Sequence, residues 1–270
     1  MHPILDTAVR AARRAGDIIL AASRKATAVE VESKGPADYV TEIDRAAEAA
    51  VLEIVRAEWP GHAVLAEERG AQGDARAEYL WIVDPLDGTT NFVRGVPHFA
   101  VSIGVRRAGA SAEQPPGAIE HAAVLDPLRD ELFTTSADEG ARLNGRPIRV
   151  TSRPGLDGAL LGTGIPFKAG AIERLDRYLA TMRALLPGTA GIRRPGSAAL
   201  DLAYVAAGRF DGFWEFGLSP WDVAAGVLLV REAGGIVTDT AGGDGWFETG
   251  DILAAGRAVH AAMLAVLRGI

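Results

Sequence analysis

Acidic residues with the types and spacing to do chemistry lie in the run Trp81-Ile82-Val83-Asp84-Pro85-Leu86-Asp87-Gly88-Thr89-Thr90-Asn91-Phe92. An apolar strand ends at Asp84, Pro85 keeps the chain extended, Gly88 permits a tight turn, and Thr89, Thr90 or Asn91 can cap a following helix. Two carboxylates thus converge at a strand end beside free backbone N–H groups, and such groups at a helix start bind phosphate. Close carboxylates repel unless a cation sits between them. Hard oxygen donors suit Mg²⁺, which keeps several waters and bridges to substrate phosphate. The same string also reads as an Asx-type turn, since Asp, Pro, Gly and Thr are common turn formers. Another acid, Asp222, opens the apolar run Trp221-Asp222-Val223-Ala224-Ala225-Gly226, which closes at Glu232-Ala233-Gly234-Gly235; there it can serve as a helix N-cap. A further pair, Glu67-Glu68, follows a short apolar strand, where solvated charge is the ordinary expectation.

Positioning these groups takes a mixed α/β chain. Ile4, Leu5, Val9, Ala12, Ile18, Ile19 and Ala22 recur at three- and four-residue spacing, which predicts an amphipathic helix over 4–23. A short strand is expected over 28–32. Thr41-x-x-Asp44 stands as a capping box before the stripe Ala47, Ala50, Val51, Ile54 and Val55, predicting a second helix that ends near Trp59-Pro60-Gly61. Strands follow over 63–66, 79–83, 99–105, 118–125 and 131–135, with Pro115-Pro116-Gly117 closing a variable loop over 111–117. Asn144-Gly145-Arg146-Pro147 marks a soft boundary between a helix-plus-sheet part, 1–145, and an α/β part, 146–270, within one compact unit. In the second part helices over 171–186, 197–207, 223–232 and 257–267 alternate with short apolar strands.

Composition removes several alternatives. The 270 residues contain no cysteine, so a disulfide framework, a thiolate metal site, an iron–sulfur cluster and a cysteine nucleophile are all excluded. Catalysis must rest on oxygen and nitrogen groups. Net charge is −7, and the basic residues, 25 arginines and three lysines, form no block, so the chain reads as a poor nucleic-acid binder. The pairs Arg106-Arg107 and Arg193-Arg194 read as solvated surface charge. No apolar run is long enough to span a membrane and the first 24 residues lack the apolar centre of a signal peptide, which points to a cytoplasmic protein.

The two long motifs, Trp81 to Phe92 continuing through Gly95-Val96-Pro97, and Trp221-Asp222 through Gly234-Gly235, resemble the two signatures of the inositol monophosphatase family. The similarity extends through Asp38-Tyr39-Val40-Thr41, Asp44, Ala66-Glu67-Glu68 and Gly196-Ser197-Ala198-Ala199, and so covers nearly the whole chain. Ala66 departs from the glycine that many relatives carry before the two glutamates. The resemblance implies the layered α-β-α-β-α sandwich of the Mg²⁺-dependent, lithium-sensitive sugar phosphatases, shared with fructose-1,6-bisphosphatase, and a homodimer.

It also implies roles. Glu67, Asp84 and the Leu86 carbonyl would hold a first Mg²⁺; Asp84, Asp87 and Asp222 would hold a second. Four carboxylates against two divalent ions make a neutral cluster. Thr89, hydrogen-bonded by Asp44, would position the attacking water, so Glu67, Thr89 and Asp44 form the catalytic group. Gly88 and Thr89 N–H groups would take phosphate oxygens. Gly196, Ser197, Ala198 and Glu215, together with Asp87 and Asp222, would line the substrate pocket, Glu215 accepting from polyol hydroxyls. The expected reaction is in-line hydrolysis of a phosphate monoester without a covalent phosphoenzyme. Two residues separate Asp84 from Asp87, which is the wrong frame for the D-x-D-G-T motif of aspartyl-phosphate enzymes. Inositol 1-phosphate is the first substrate expectation and histidinol phosphate the second. A protein that binds a macromolecular partner, with residual phosphatase activity, is the rival from another class.

Overall fold

The computed structural model describes residues 2–24, 31–35, 38–107, 118–166 and 172–270. The chain opens with α1 (Pro3–Ser23), a β1 (Val31–Gly35) and β2 (Asp38–Thr41) hairpin, and α2 (Glu42–Glu58). There follow β3 (Ala63–Ala66), β4 (Gly70–Gln72), β5 (Tyr79–Asp87), α3 (Thr89–Arg94), β6 (Ala100–Arg107), β7 (Ile119–Asp126), β8 (Glu131–Ser136), β9 (Arg142–Leu143) and β10 (Arg146–Pro147). The remainder is β11 (Leu160–Thr163), α4 (Leu175–Leu185), β12 (Gly191–Arg193), α5 (Ala198–Ala206), β13 (Gly212–Glu215), α6 (Pro220–Glu232), β14 (Ile236–Thr238), α7 (Trp246–Thr249), β15 (Ile252–Ala255) and α8 (Arg257–Leu267).

Among the described residues, besides the β1-β2 pair, a first sheet runs β10-β9-β8-β7-β6-β5-β3-β4 and a second β12-β11-β13-β15-β14. The first is antiparallel except where β3 pairs with β5; in the second, β12 and β13 both run parallel to β11. Period-two alternation sorts the side chains of the first sheet onto two faces. Trp81, Val83, Val101, Ile103, Val105, Ala123 and Leu125 pack under α1 and α2, whose buried stripes include Ala8, Ala12, Ile19, Ala47, Val51 and Val55. The opposite face, with Ile82, Ala100, Ala122, Val124 and Phe133, packs on α5 and α6. Those two helices also meet Phe213, Ile252 and Ala254 of the second sheet, whose far face packs Trp214, Leu253 and Ala255 against α4 and α8. The result is a layered α-β-α-β-α sandwich. Helix α6 lies in its middle and is accordingly apolar all round, from Val223 to Val230.

The boundaries differ from the periodicity in instructive ways. The first strand spans 31–35 rather than 28–32, and residues 28–30 of that expectation lie outside the described residues, as do loop 111–117 and Ala171. Helix α4 begins at Leu175, after a single 3-10 turn at Ile172–Arg174. Helix α6 starts three residues earlier than its apolar run, because Pro220 fits the first helical position, where its missing N–H costs nothing. Strand β5 continues past Asp84 to Asp87.

Candidate functional site

Asp84 and Asp87 are three apart in sequence, so in a regular strand they would face opposite sides of the sheet. On β6, however, their partners Ser102 and Ala100 are only two apart, and the register shift between them is a bulge. That extra residue turns both carboxylates toward the same cavity. Pro85, which has no N–H to give a ladder, falls in the irregular stretch, and the Leu86 N–H donates to Asp84 Oδ1 at 2.9 Å. The chain then turns at Gly88, which has φ +96° and whose Cβ would come within 3.0 Å of the His98 carbonyl oxygen. Gly88 is itself the N-cap of α3, with no side-chain cap, so Thr89, Thr90 and Asn91 do not fill the capping role expected of them. Asn91 instead ties two segments together, its Nδ2 donating to the carbonyls of His98 at 2.7 Å and Pro195 at 2.8 Å.

Asp222 arrives from α6, not as its N-cap but as its third residue, its Oδ2 accepting from the Ser219 N–H at 2.6 Å. Oxygens of Asp84, Asp87 and Asp222 lie within 4.8 Å of one another. Glu67 comes from the β3–β4 turn and reaches hydrogen-bond distance of Asp84, so it is drawn into the cluster rather than solvated. These acids and the Leu86 backbone line a cavity of about 390 Å³. Burial, reinforced by the charges of Glu67, Asp87 and Asp222, pushes the Asp84 carboxyl well above the usual carboxylate range. Burial likewise pushes Asp87 up to about 6, against the hydrogen bonds to its Oδ2 from Ser197 Oγ and the Ala199 N–H, both at 2.7 Å. Like charges gathered in a cavity, with all-oxygen donors and an adjacent carbonyl, are the donor set a hard divalent cation takes.

Beside this cluster, Thr89 Oγ1 is 2.9 Å from Asp44 Oδ1 and 3.1 Å from the Leu86 carbonyl. Asp44 is fully buried and does two jobs at once: its Oδ2 accepts the Thr41 N–H at 2.8 Å, closing the capping box of α2, while Oδ1 serves Thr89. Gly196, with φ +95°, and Ala198 line the cavity, and Ser197 also caps α5. Glu215 closes the far wall from the end of β13; its carboxylate lies over Gly164, where a Cβ would overlap it at 1.8 Å. Burial, then the charges of Asp201, Asp222 and Asp87, raise its pKa well above the ordinary value, with Arg194 opposing.

Every site residue expected from the sequence lies at or against this one cavity. Three features escaped the sequence. Arg194 is exposed like Arg193, as expected of the pair, but it also lines the cavity. Arg106, by contrast, is partly withdrawn from water, its guanidinium 4.8 Å from the Phe247 ring centroid. Asp201, one turn into α5, is 1% exposed, raised well above the ordinary range by burial, with His98 Nε2 3.6 Å from its Oδ1. An acid in an apolar helix four residues past Ser197 carried the only signal for it. No described helix is long and apolar enough to cross a membrane.

Comparison with known proteins places this geometry. The model of the inositol monophosphatase family matches residues 1–270. A Pseudomonas aeruginosa protein named Nus factor SuhB is 52% identical over 270 residues, covering 99% of this chain and 97% of the relative. The solved structure of the extragenic suppressor protein suhB from Bartonella henselae superimposes with a TM-score of 0.92 at 40% identity, covering 99% of both chains. An inositol monophosphatase from Anabaena (Nostoc) gives a TM-score of 0.83 at 41% identity over 99% of this chain and 96% of its own.

Proposed function

The chain belongs to the inositol monophosphatase family, and we propose that it is a cytoplasmic Mg²⁺-dependent hydrolase of small phosphate monoesters, inositol 1-phosphate first and histidinol phosphate second. The observation that carries this reading is the convergence of Asp84, Asp87 and Asp222 oxygens within 4.8 Å in one cavity. With Glu67 and the Leu86 carbonyl, these residues would hold two or more Mg²⁺ ions. When bound, Mg²⁺ neutralises charge developing on the phosphoryl group and lowers the pKa of water.

The chain's own groups supply the rest. Thr89 has one hydroxyl proton; given to Asp44 Oδ1 at 2.9 Å, it leaves the Oγ1 lone pairs to accept from the attacking water and so orient it. Thr41 holds Asp44 in that orientation from the other side. The N–H groups of Gly88 and Thr89, at the open start of α3, accommodate phosphate oxygens. Glu215 accepts from polyol hydroxyls or pairs with a substrate amine, and its charge disfavours a second anionic group, an effect that Arg194 moderates.

Phosphate release from inositol 1-phosphate, histidinol phosphate, fructose 1,6-bisphosphate, adenosine 3′,5′-bisphosphate and NADP, with and without Mg²⁺, tests the proposal. Asp87→Asn should lower Mg²⁺-dependent release by about a hundredfold or more. Absence of release from every substrate by the wild type overturns it.

A second reading is favoured by the names of the relatives, several of which, including the Pseudomonas protein, are Nus factors. In that reading the chain docks on a macromolecular assembly. The net charge of −7 argues against a nucleic-acid partner only as an average over the surface, so nucleic acid and protein both remain targets for the assay. Specific complex formation that persists in Asp87→Asn would separate this role from hydrolysis. The homodimer that the family resemblance implies is tested by light scattering.

A further inference from the structure

Helix α2 presents a second buried acid to the site, one turn beyond Asp44. Asp44 and Glu48, at i and i+4, share a face, and both are fully buried. Glu48 Oε2 accepts the N–H of Glu68 at 2.8 Å, and Oε1 is 3.4 Å from Arg69 Nε. Glu68 and Arg69 belong to the turn between β3 and β4, closed by the pair Ala66 and Gly70, and that turn begins with Glu67. The N–H of Glu67 is fastened separately, donating to the Val83 carbonyl at 3.1 Å. The peptide planes on both sides of the Glu67 Cα are therefore tied down, one to β5 and the other to Glu48. With both planes fixed, the direction in which the Glu67 side chain leaves the backbone is fixed too.

A charged carboxylate is expensive to bury, and an apolar residue of similar volume would ordinarily serve the core better. We propose that Glu48 is a positioning residue: through the Glu68 N–H it aims Glu67 at the cluster, so that one face of α2 sets Thr89 through Asp44 and Glu67 through Glu48. The inference rests on the reading of Glu67 as a Mg²⁺ ligand and adds a residue that touches neither metal nor substrate.

Two variants of similar size separate positioning from packing. Glu48→Met fills the same space without an acceptor; Glu48→Gln keeps an acceptor for the Glu68 N–H and removes the charge. Titrating each purified protein with Mg²⁺ by calorimetry, alongside thermal unfolding without metal, reads affinity and fold separately. The expected result is affinity about 10- to 100-fold weaker in Glu48→Met, the usual cost of losing a group that orients a metal ligand. Its unfolding midpoint should be at or above that of the wild type. Glu48→Gln should stay within about threefold of the wild type, rescuing the loss. Glu48→Met binding Mg²⁺ as the wild type does, or Glu48→Gln losing as much as Glu48→Met, overturns the role of Glu48. If the wild type takes up no Mg²⁺, the reading of Glu67 as a ligand falls and this inference with it. If it binds Mg²⁺ but hydrolyses nothing, the substrate proposal fails while the Glu48 comparison still decides.

Discussion

At Asp84 the chain holds a carboxylate that its surroundings disfavour in the ionised form, first by burial and then by three neighbouring acids. Such an arrangement stores a repulsion that a cation relieves. Asp84→Asn keeps an oxygen for the Leu86 N–H and removes one charge, so the metal-free variant should unfold at or above the wild-type temperature. The wild type should gain about 2.7 kcal/mol when Mg²⁺ is at a hundred times its dissociation constant, and the variant should gain far less. Thermal unfolding with and without Mg²⁺ checks both halves, and an equal Mg²⁺ shift in the two proteins would remove Asp84 from the site. At this scale the sequence was informative where acids stand beside turn residues, as in Asp84-Pro85-Leu86-Asp87-Gly88. It was silent for Glu48, because an acid inside an amphipathic helix has no local mark that distinguishes a buried group from a solvated one. Only the loop or helix packed against it decides, and that neighbour lies far away in sequence.

Among the elements, α6 and β6 approach closely at Gly104. An added Cβ at Gly104 would lie 3.0 Å from Ala224 Cβ and 3.1 Å from the Ala225 nitrogen, and neither can swing aside. Gly104→Ala should therefore cost about 1–3 kcal/mol in urea unfolding. Because α6 carries Asp222 in its first turn, Mg²⁺ affinity should fall with it, although Gly104 does not line the cavity. A second element-scale effect is pH dependence at the β7–β8 ladder. His121, buried with Nδ1 3.0 Å from Ser136 Oγ and stacked on His2, is lowered to about 4 by burial, with a smaller contribution from the His2 charge. The unfolded chain takes up that proton near pH 6.5 and the folded chain only near 4, so the contribution of this group to stability is complete above about 6.5 and is lost as pH falls toward 4. The loss is on the order of 3 kcal/mol. His121→Gln, which does not titrate, should flatten unfolding free energy across that interval; an unchanged pH profile would contradict it. Helices α1 and α2 were legible from their apolar spacing, α2 also from its capping box. The bulge in β5 was not, since it depends on pairing with β6, and the early start of α6 was visible only in the Ser219-Pro220 pair, outside the apolar run.

The whole molecule places its acids where two sheets and a central pair of helices meet, and the layered order was accessible only through family resemblance. Helix and strand patterns predict a mixed α/β chain, but they do not say which helices are sandwiched between sheets; α5 and α6 betray that position only by being apolar on every side. Reading the arginine pairs as surface charge missed that Arg194, though exposed, borders the cavity, and that Arg106 is partly buried. Glu67, Asp84 and Asp87 lie within one stretch of the first sheet, whereas Asp222 rides on α6, contributed much later in the chain and packed back across β5, β6, β7 and β8. Until that long loop has closed, the three early acids have no fourth, and the entropy of closing it must be spent before the contact is made. If these acids hold Mg²⁺ as proposed, the full ligand set is expected to form only after the transition state for folding has been crossed. In stopped-flow denaturant jumps the ion should leave the refolding rate nearly unchanged and slow the unfolding rate, with the whole of its stabilisation on the unfolding limb of the chevron. An ion that accelerated refolding instead would mean that α6 docks early. On the expected kinetics the metal is no template for the nascent chain but a latch, lengthening the lifetime of a protein that has already found its shape.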